Sequence, residues 1–241
     1  MIRIALGIGK NQNILKAINK FKKSNKDHDY EFNLLYDDLD LIEAIKDENT
    51  NAVIRGSLPS SNIMKKIREN YTSNITRATY VKSDDYEFLL SPVGIDEGNS
   101  IEEKYEIAIN CAEFLKNLGS TPKIAILANG RKGDYGRSTK INKSIDEAKT
   151  LVNLIEKNSD FIVNNYYILV EKAIKEKNNV IIAPCGIIGN YIFRTLVLLD
   201  SWPSFGAITF GVDGIYIDTS RDQSVEGYLR SINIAYRLAK L

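Results

Sequence analysis

Short apolar runs rich in β-branched residues alternate with longer stretches whose apolar residues return every three or four positions. Runs of the first kind predict strands at Arg3–Leu6, Phe32–Tyr36, Ala52–Arg55, Thr76–Val81, Glu87–Leu90, Lys123–Ala128, Phe161–Val163, Val180–Ala183, Ala207–Phe210 and Ile215–Ile217. The helical period predicts helices over 11–23, 38–47, 61–70, 101–118, 144–158, 166–177, 188–199 and 223–239. The clearest is 101–118, where Ile101, Tyr105, Ala108, Cys111, Ala112, Leu115 and Leu118 recur on one face. Ser100-x-x-Glu103 opens it as a capping box, and Gly119 with Pro122 closes it. Ser144-x-x-Glu147 predicts the start of the next helix, and Ser220-x-x-Gln223 that of the last.

Strands that alternate with helices imply a mostly parallel sheet covered by helices on both faces, an α/β fold. Right-handed crossovers then place the strand-to-helix loops at the carboxyl edge, where such sheets bind ligands. The polar stretch Lys82–Tyr86 between two adjacent strands suggests two lobes.

Composition narrows the function classes. The 241 residues are 44% apolar and 26% charged, ordinary for a folded globular chain. Lys and Arg total 32 against 31 acids, so no overall field recruits nucleic acid or an anionic membrane. No apolar run reaches membrane-helix length, and the opening MIRIALGIGK reads as a first strand, so the expected location is the cytosol. Cys111 and Cys185 match no metal or disulfide spacing, and no metal is expected. The one histidine, His28, reads as an exposed loop imidazole in SNKDHDYE rather than a catalytic base.

Any basic site in a neutral chain must be local, and four carboxyl-edge loops carry the candidates. In KIAILANGRKGDYGRSTK, Gly130, Gly133 and Gly136 are interleaved with Arg131, Lys132 and Arg137. That pattern is neither a P-loop nor a Rossmann fingerprint. It offers backbone N–H groups and guanidinium forks that suit phosphate oxygens, although Asp134 could pin Arg131 or Arg137 instead. In AVIRGSLPSS, Arg55, Gly56 and Ser57 follow an apolar strand, and Ser60 or Ser61 is the expected helix cap. In NVIIAPCGIIGNYIFRTL, Gly189 and Asn190 open an apolar helix, with Cys185 at its start as a reactive or merely small residue. In IYIDTSRDQSVEGYL, Asp218 and Arg221 lack a local structural explanation. If the loops converge, Arg55, Arg131, Lys132, Arg137 and Arg221 share a cleft for an anion of more than one charge.

These residues resemble a known superfamily. FLLSPVGIDEGNSIEEKYEIAINCAEFLKNLGSTPKIAILANGRKG resembles the opening of the second domain of phosphate acetyl- and butyryltransferases. NVIIAPCGIIGNYIFRTL resembles their strand, Pro, Gly-Asn and helix, and DTSRDQSVEGYLRSINIAYRLAKL their C-terminal Ser-Arg helix, matching Ser220 and Arg221. The likeness runs from about residue 85 to the end and weakly covers AVIRGSLPSSNIMKKIRE. More narrowly, GRKGDYGR, IIAPCGIIGNYIFRTL and DTSR together look like the MtxX family of methanogens, methyltransferase-related proteins of the same fold.

The resemblance implies a two-lobed, isocitrate dehydrogenase-like fold with 1–83 plus 218–241 in one lobe, 84–217 in the other and a ligand cleft between them. It implies phosphate or coenzyme A as the ligand, with a methyltransferase or a second copy of the chain as partner. An acyltransferase would use Arg221 and Arg131 to neutralise phosphate charge, Lys132 and Arg137 to position it, and Ser220 beside them. The family's aspartate, seven residues after its Ser, is Gly227 here, so Asp218 or Glu226 would have to act as base. The family's D-G-x-x-Q-x-D element is replaced by NSDFIVNNYYILVEKAI. Both departures favour an accessory or regulatory protein that retains the anion site. A dehydrogenase on the related fold finds no nicotinamide or metal-carboxylate motif.

Overall fold

Strands and helices alternate as the hydrophobic pattern predicts. The computed structural model describes residues 1–25, 29–71 and 74–241, so His28 lies outside the described residues. The strands are β1 (Ile2–Gly7), β2 (Tyr30–Leu35), β3 (Ala52–Ile54), β4 (Thr76–Lys82), β5 (Glu87–Ser91), β6 (Lys123–Leu127), β7 (Ile162–Tyr167), β8 (Val180–Ile182), β9 (Ser204–Phe210) and β10 (Ile215–Asp218). The helices are α1 (Asn13–Ser24), α2 (Asp38–Lys46), α3 (Ser60–Asn70), α4 (Ile101–Asn117), α5 (Thr139–Asn158), α6 (Val170–Lys175), α7 (Gly186–Phe193) and α8 (Val225–Leu238). None of the described helices is long and apolar enough to cross a membrane.

The chain forms two compact units, Met1–Ile75 with Ser204–Leu241, and Thr76–Pro203. In the first, the strand order is β2-β1-β3-β10-β9, with β9 antiparallel and the rest parallel. In the second it is β4-β5-β8-β6-β7, with β4 antiparallel and the rest parallel. The polar stretch read as a lobe boundary is the tight turn between β4 and β5, closed by Ser83 N donating to Tyr86 O at 2.8 Å. It therefore lies inside the second unit.

Each sheet is buried on both sides. Ala5, Val53 and Tyr216 face a cluster built from Leu41, Ile45, Ile63 and Ile67 of α2 and α3. The period-two alternation turns Ile4 and Leu6 to the opposite face, where α8 packs on β1 and β3 and α1 packs on α8. There Phe21 meets Tyr30, Phe32 and Tyr236 edge-to-face, with ring centroids 5.0–5.5 Å apart. In the second unit Val81, Phe88, Leu90, Ala125, Leu127 and Ile181 form one core face. Helices α4 and α5 pack on each other, burying Ile107, Cys111, Leu115, Ile145 and Leu151. Each such side chain contributes about 1.5–3 kcal/mol on burial.

Several helix starts differ from expectation. Ser100 caps α4 by accepting from Glu103 N, but the Glu103 carboxylate accepts from Asn99 N at 2.9 Å rather than from Ser100 N. Helix α5 begins five residues before Ser144, capped by Ser138, whose hydroxyl accepts from Ile141 N. Helix α8 is capped by Ser224 rather than Ser220. Helix α3 starts directly behind Pro59 at the cap position. The predicted helix at 166–177 shortens to α6 because Tyr166 and Tyr167 extend β7 along β6. The apolar helix expected at 188–199 is α-helical through Phe193 and a π-helix from Arg194 to Leu199.

Candidate functional site

In the first unit, β1, β3 and β10 run parallel, so the segments leaving their carboxyl ends lie side by side. They pack backbone against backbone. A Cβ on Gly7 would lie 2.2 Å from Arg55 O, and one on Gly56, at φ +63°, would lie 1.9 Å from Gly7 O. Gly9 N donates to Ser57 Oγ at 2.7 Å, and Thr219 Oγ1 donates to Gly56 O at 2.7 Å. The turn after β10 is tied from the far end of the sequence. Asn11 Nδ2 donates to the carbonyls of Arg221 and Gln223 at 2.9 and 3.1 Å. The buried Tyr228 hydroxyl lies 3.0 and 2.9 Å from the carbonyls of Ser220 and Arg221. Burial pushes that hydroxyl up to about 12.

Arg55 and Asp218 join these ends from below. The Arg55 guanidinium pairs with Asp218 and donates to the carbonyls of Leu58 and Thr219. Arg55 is only 4% exposed, so its fork is turned into the protein. The structure therefore places Arg55, Asp218 and Ser57 in the framework, although the sequence suggested ligand contact or catalysis for them. Arg221, by contrast, projects an exposed side chain from a turn fixed by Asn11 and Tyr228, with half-buried Ser220 beside it. Glu226, read as a substitute base, is exposed on α8 and paired with Lys20. Gly227 is buried, and a Cβ there would lie 2.2 Å from the Gln223 side chain.

In the second unit, the 128–138 turn leaves the carboxyl end of β6. Its base is firmly held: Asn129 N donates to Ser144 Oγ at 3.0 Å, which is the role the structure gives Ser144. Gly130 is buried, and a Cβ there would lie 2.9 Å from the Ile141 side chain. Asp134 Oδ2 accepts from Arg131 N at 2.8 Å, while Asp134 Oδ1 pairs with Arg137 Nε at 3.2 Å. Gly136, at φ +98°, donates its N–H to Asn142 Oδ1 at 2.7 Å. Arg131 and Lys132 are exposed, and neither side chain enters an ion pair among the described residues. A Cβ on Gly133 would meet nothing within 4 Å, so packing does not demand that glycine.

The neighbouring loop after β8 is framework. A Cβ on Gly186 would lie 1.6 Å from Gly94 O, and one on Gly189 would lie 1.8 Å from Pro92 O. Asn190 Nδ2 donates to Val93 O at 3.0 Å. These contacts clamp the start of α7 onto the loop after β5, which accounts for Gly189 and Asn190 without a ligand. Cys185, half-buried, occupies the cap position of α7, and burial raises the Cys111 thiol far above its ordinary range.

Lys104 and the loop after β1 were missed in the sequence. Lys104 is 5% exposed, and its Nζ reaches Glu147 Oε2 at 2.9 Å and Pro184 O at 3.3 Å. A signal existed, since Lys104 falls on the same helical stripe as Ala108, Cys111 and Leu115. In the loop after β1, Gly7 and Gly9 flank Ile8 and precede an exposed Lys10. A cavity of about 530 Å³ at the amino ends of β5 and β8 is lined by Lys82–Phe88, Ile174 and Lys177–Asn179, none of them a predicted site residue. No cluster among the described residues could hold a metal ion.

The fold is α/β and is shared with solved phosphotransacylases and with a dehydrogenase-like protein. A branched-chain phosphotransacylase from Enterococcus faecalis superposes with a TM-score of 0.77 at 18% identity, over 99% of both chains. A phosphotransacetylase from Streptococcus pyogenes gives 0.69 at 16% identity, over 100% of this chain and 94% of that one. A 4-hydroxythreonine-4-phosphate dehydrogenase-like protein from Salmonella typhimurium shares the fold at 0.62 and 14% identity, over 99% of both chains.

Sequence likeness is narrower. A protein of Methanocaldococcus jannaschii, named an uncharacterized methyltransferase, is 36% identical over 96% of both chains. The mtx subunit X protein of Methanosarcina acetivorans is 36% identical over 75% of this chain and 65% of its own length. No family model matches the chain. The chain belongs to the MtxX family of methanogens.

Proposed function

We propose that this protein binds an anionic, phosphate-bearing ligand of the acyl phosphate or coenzyme A type on the 129–138 turn. In this reading it works in the cytosol as an accessory or regulatory partner of a methyltransferase. One observation carries the ligand class: a held turn presents Arg131 and Lys132 to solvent without ion-pair partners among the described residues. A multiply charged oxyanion supplies what those groups lack, and each charge-assisted hydrogen bond contributes about 1.5–3 kcal/mol. The methyl-transfer role is carried over from the names borne by relatives.

Thermal shift and calorimetric titration with phosphate, acetyl phosphate and coenzyme A test the ligand. Arg131→Ala and Lys132→Ala should each weaken binding roughly 10–100-fold while leaving ligand-free stability unchanged. Arg221→Ala tests the first unit's exposed arginine separately. Equal ligand shifts in wild type, Arg131→Ala and Lys132→Ala would overturn the proposal.

A second reading, a working phosphate acyltransferase, draws on the likeness to the phosphotransacylase fold. Loss of a positioned base costs about 10²–10⁴-fold in rate. With Gly227 lacking a side chain and Glu226 paired with Lys20, acetyl phosphate and coenzyme A should turn over slowly or not at all. Brisk turnover that disappears in Glu226→Gln would establish this second reading instead.

A further inference from the structure

Strands β5, β6 and β8 run parallel, so the cavity of about 530 Å³ opens at the end of this sheet opposite the 129–138 turn. Its volume falls within the range of about 300–1,000 Å³ typical of small-molecule sites. Its walls are held by the protein itself. The β4–β5 turn is closed by Ser83 N donating to Tyr86 O at 2.8 Å and by Ser83 Oγ accepting from Asp85 N at 3.2 Å. Tyr86 stacks on Trp202 with ring centroids 4.0 Å apart. On the other side, Asn178 N and Nδ2 both donate to Ala173 O and close the end of α6. Phe88 belongs to the apolar core of this unit, Tyr86 and Ile174 pack against that core, and all three line the cavity.

Charge says what fills it. Lys82 Nζ and Glu87 Oε2 pair at 2.9 Å and offset each other. Asp84, Asp85 and Lys177 are exposed lining residues, and none of them enters an ion pair among the described residues. Lys177 Nζ instead donates to the Asp85 carbonyl. Lys177 also holds a left-handed backbone, φ +59°, at the helix-closing position that glycine usually fills. Glycine would adopt that conformation with less strain, so the backbone does not account for a lysine there. We infer that the cavity binds a free α-amino acid with an apolar side chain. Its carboxylate takes the Lys177 ammonium, its own ammonium takes Asp84 and Asp85, and its side chain covers Tyr86, Phe88 and Ile174. A purely cationic ligand would meet Lys177 as a like charge, and a purely anionic one would meet two carboxylates. The site stands or falls independently of the 129–138 turn, whose ligand carries phosphate.

Calorimetric titration of the full chain with L-leucine and L-phenylalanine tests this. At least one should bind and raise the melting temperature. Its amide, which lacks the carboxylate, and its N-acetyl form, which lacks the ammonium, should each bind about tenfold more weakly or worse. Lys177→Gly should melt at or above wild type, because glycine suits the left-handed backbone, yet bind the amino acid about tenfold more weakly or worse. Lys177→Asn, which also tolerates that conformation, should show the same loss. Asp84→Asn combined with Asp85→Asn should lose binding with an unchanged far-UV spectrum. Weaker binding in a fold no less stable separates ligand contact from a structural role. No binding of either amino acid up to about 10 mM, an amide as tight as its parent, or wild-type affinity in Lys177→Gly would each overturn the inference.

Discussion

Replacing Arg55 by Met separates a framework arginine from a ligand-binding one. The side chain is buried and donates to Asp218, Leu58 O and Thr219 O. Removing it leaves an acidic side chain and two carbonyls without that donor in a place water barely reaches. Breaking one side of a buried ion pair costs about 3–5 kcal/mol, a large share of the ~5–15 kcal/mol that holds a domain. Asp218→Asn should lose a comparable amount, whereas Arg55→Met with Asp218→Asn should lose less than the two singles together, because no charge is stranded. Urea unfolding followed by circular dichroism at neutral pH reads all four proteins. At a temperature where Arg55→Met stays folded, its phosphate affinity should match wild type. A stability loss below about 1 kcal/mol with weakened phosphate binding would refute the framework assignment and return Arg55 to the ligand.

Gly189→Ala should destabilise the second unit by about 1–3 kcal/mol, because its Cβ meets Pro92 O, whereas Gly133→Ala, opening into free space, should stay within about 0.5 kcal/mol of wild type. Melting temperatures compare them, and equal effects would contradict the packing described for α7. The buried Tyr228 hydroxyl, raised to about 12, releases its proton later in the folded than in the unfolded chain. Its stabilisation is therefore complete below about pH 10 and is lost as pH rises towards about 12. Tyr228→Phe should flatten the melting-temperature profile in that window relative to wild type, and parallel profiles would refute the assignment.

By itself the sequence determined the alternation of strands and helices, because burying a parallel sheet on both faces requires continuous apolar strands and helices striped every three to four residues. It also marked the family and the basic turn at 129–138, since short motifs keep glycines and arginines within a few residues of each other. Helix starts were less legible. Ser144-x-x-Glu147 and Ser220-x-x-Gln223 satisfy the local capping pattern, yet Ser138 and Ser224 hold the caps, and Ser144 serves Asn129 instead. The pairing of Arg55 with Asp218, 163 positions apart, and of Lys104 with Pro184, 80 apart, was decided only by the tertiary structure. A charged side chain's role depends on which partners and how much water surround it. For Arg55 two of those partners, Asp218 and Thr219, lie in and just past a strand that the chain reaches only after building the whole second unit, whereas Arg131 and Lys132 stay exposed on a turn whose tip is held by hydrogen bonds of short range.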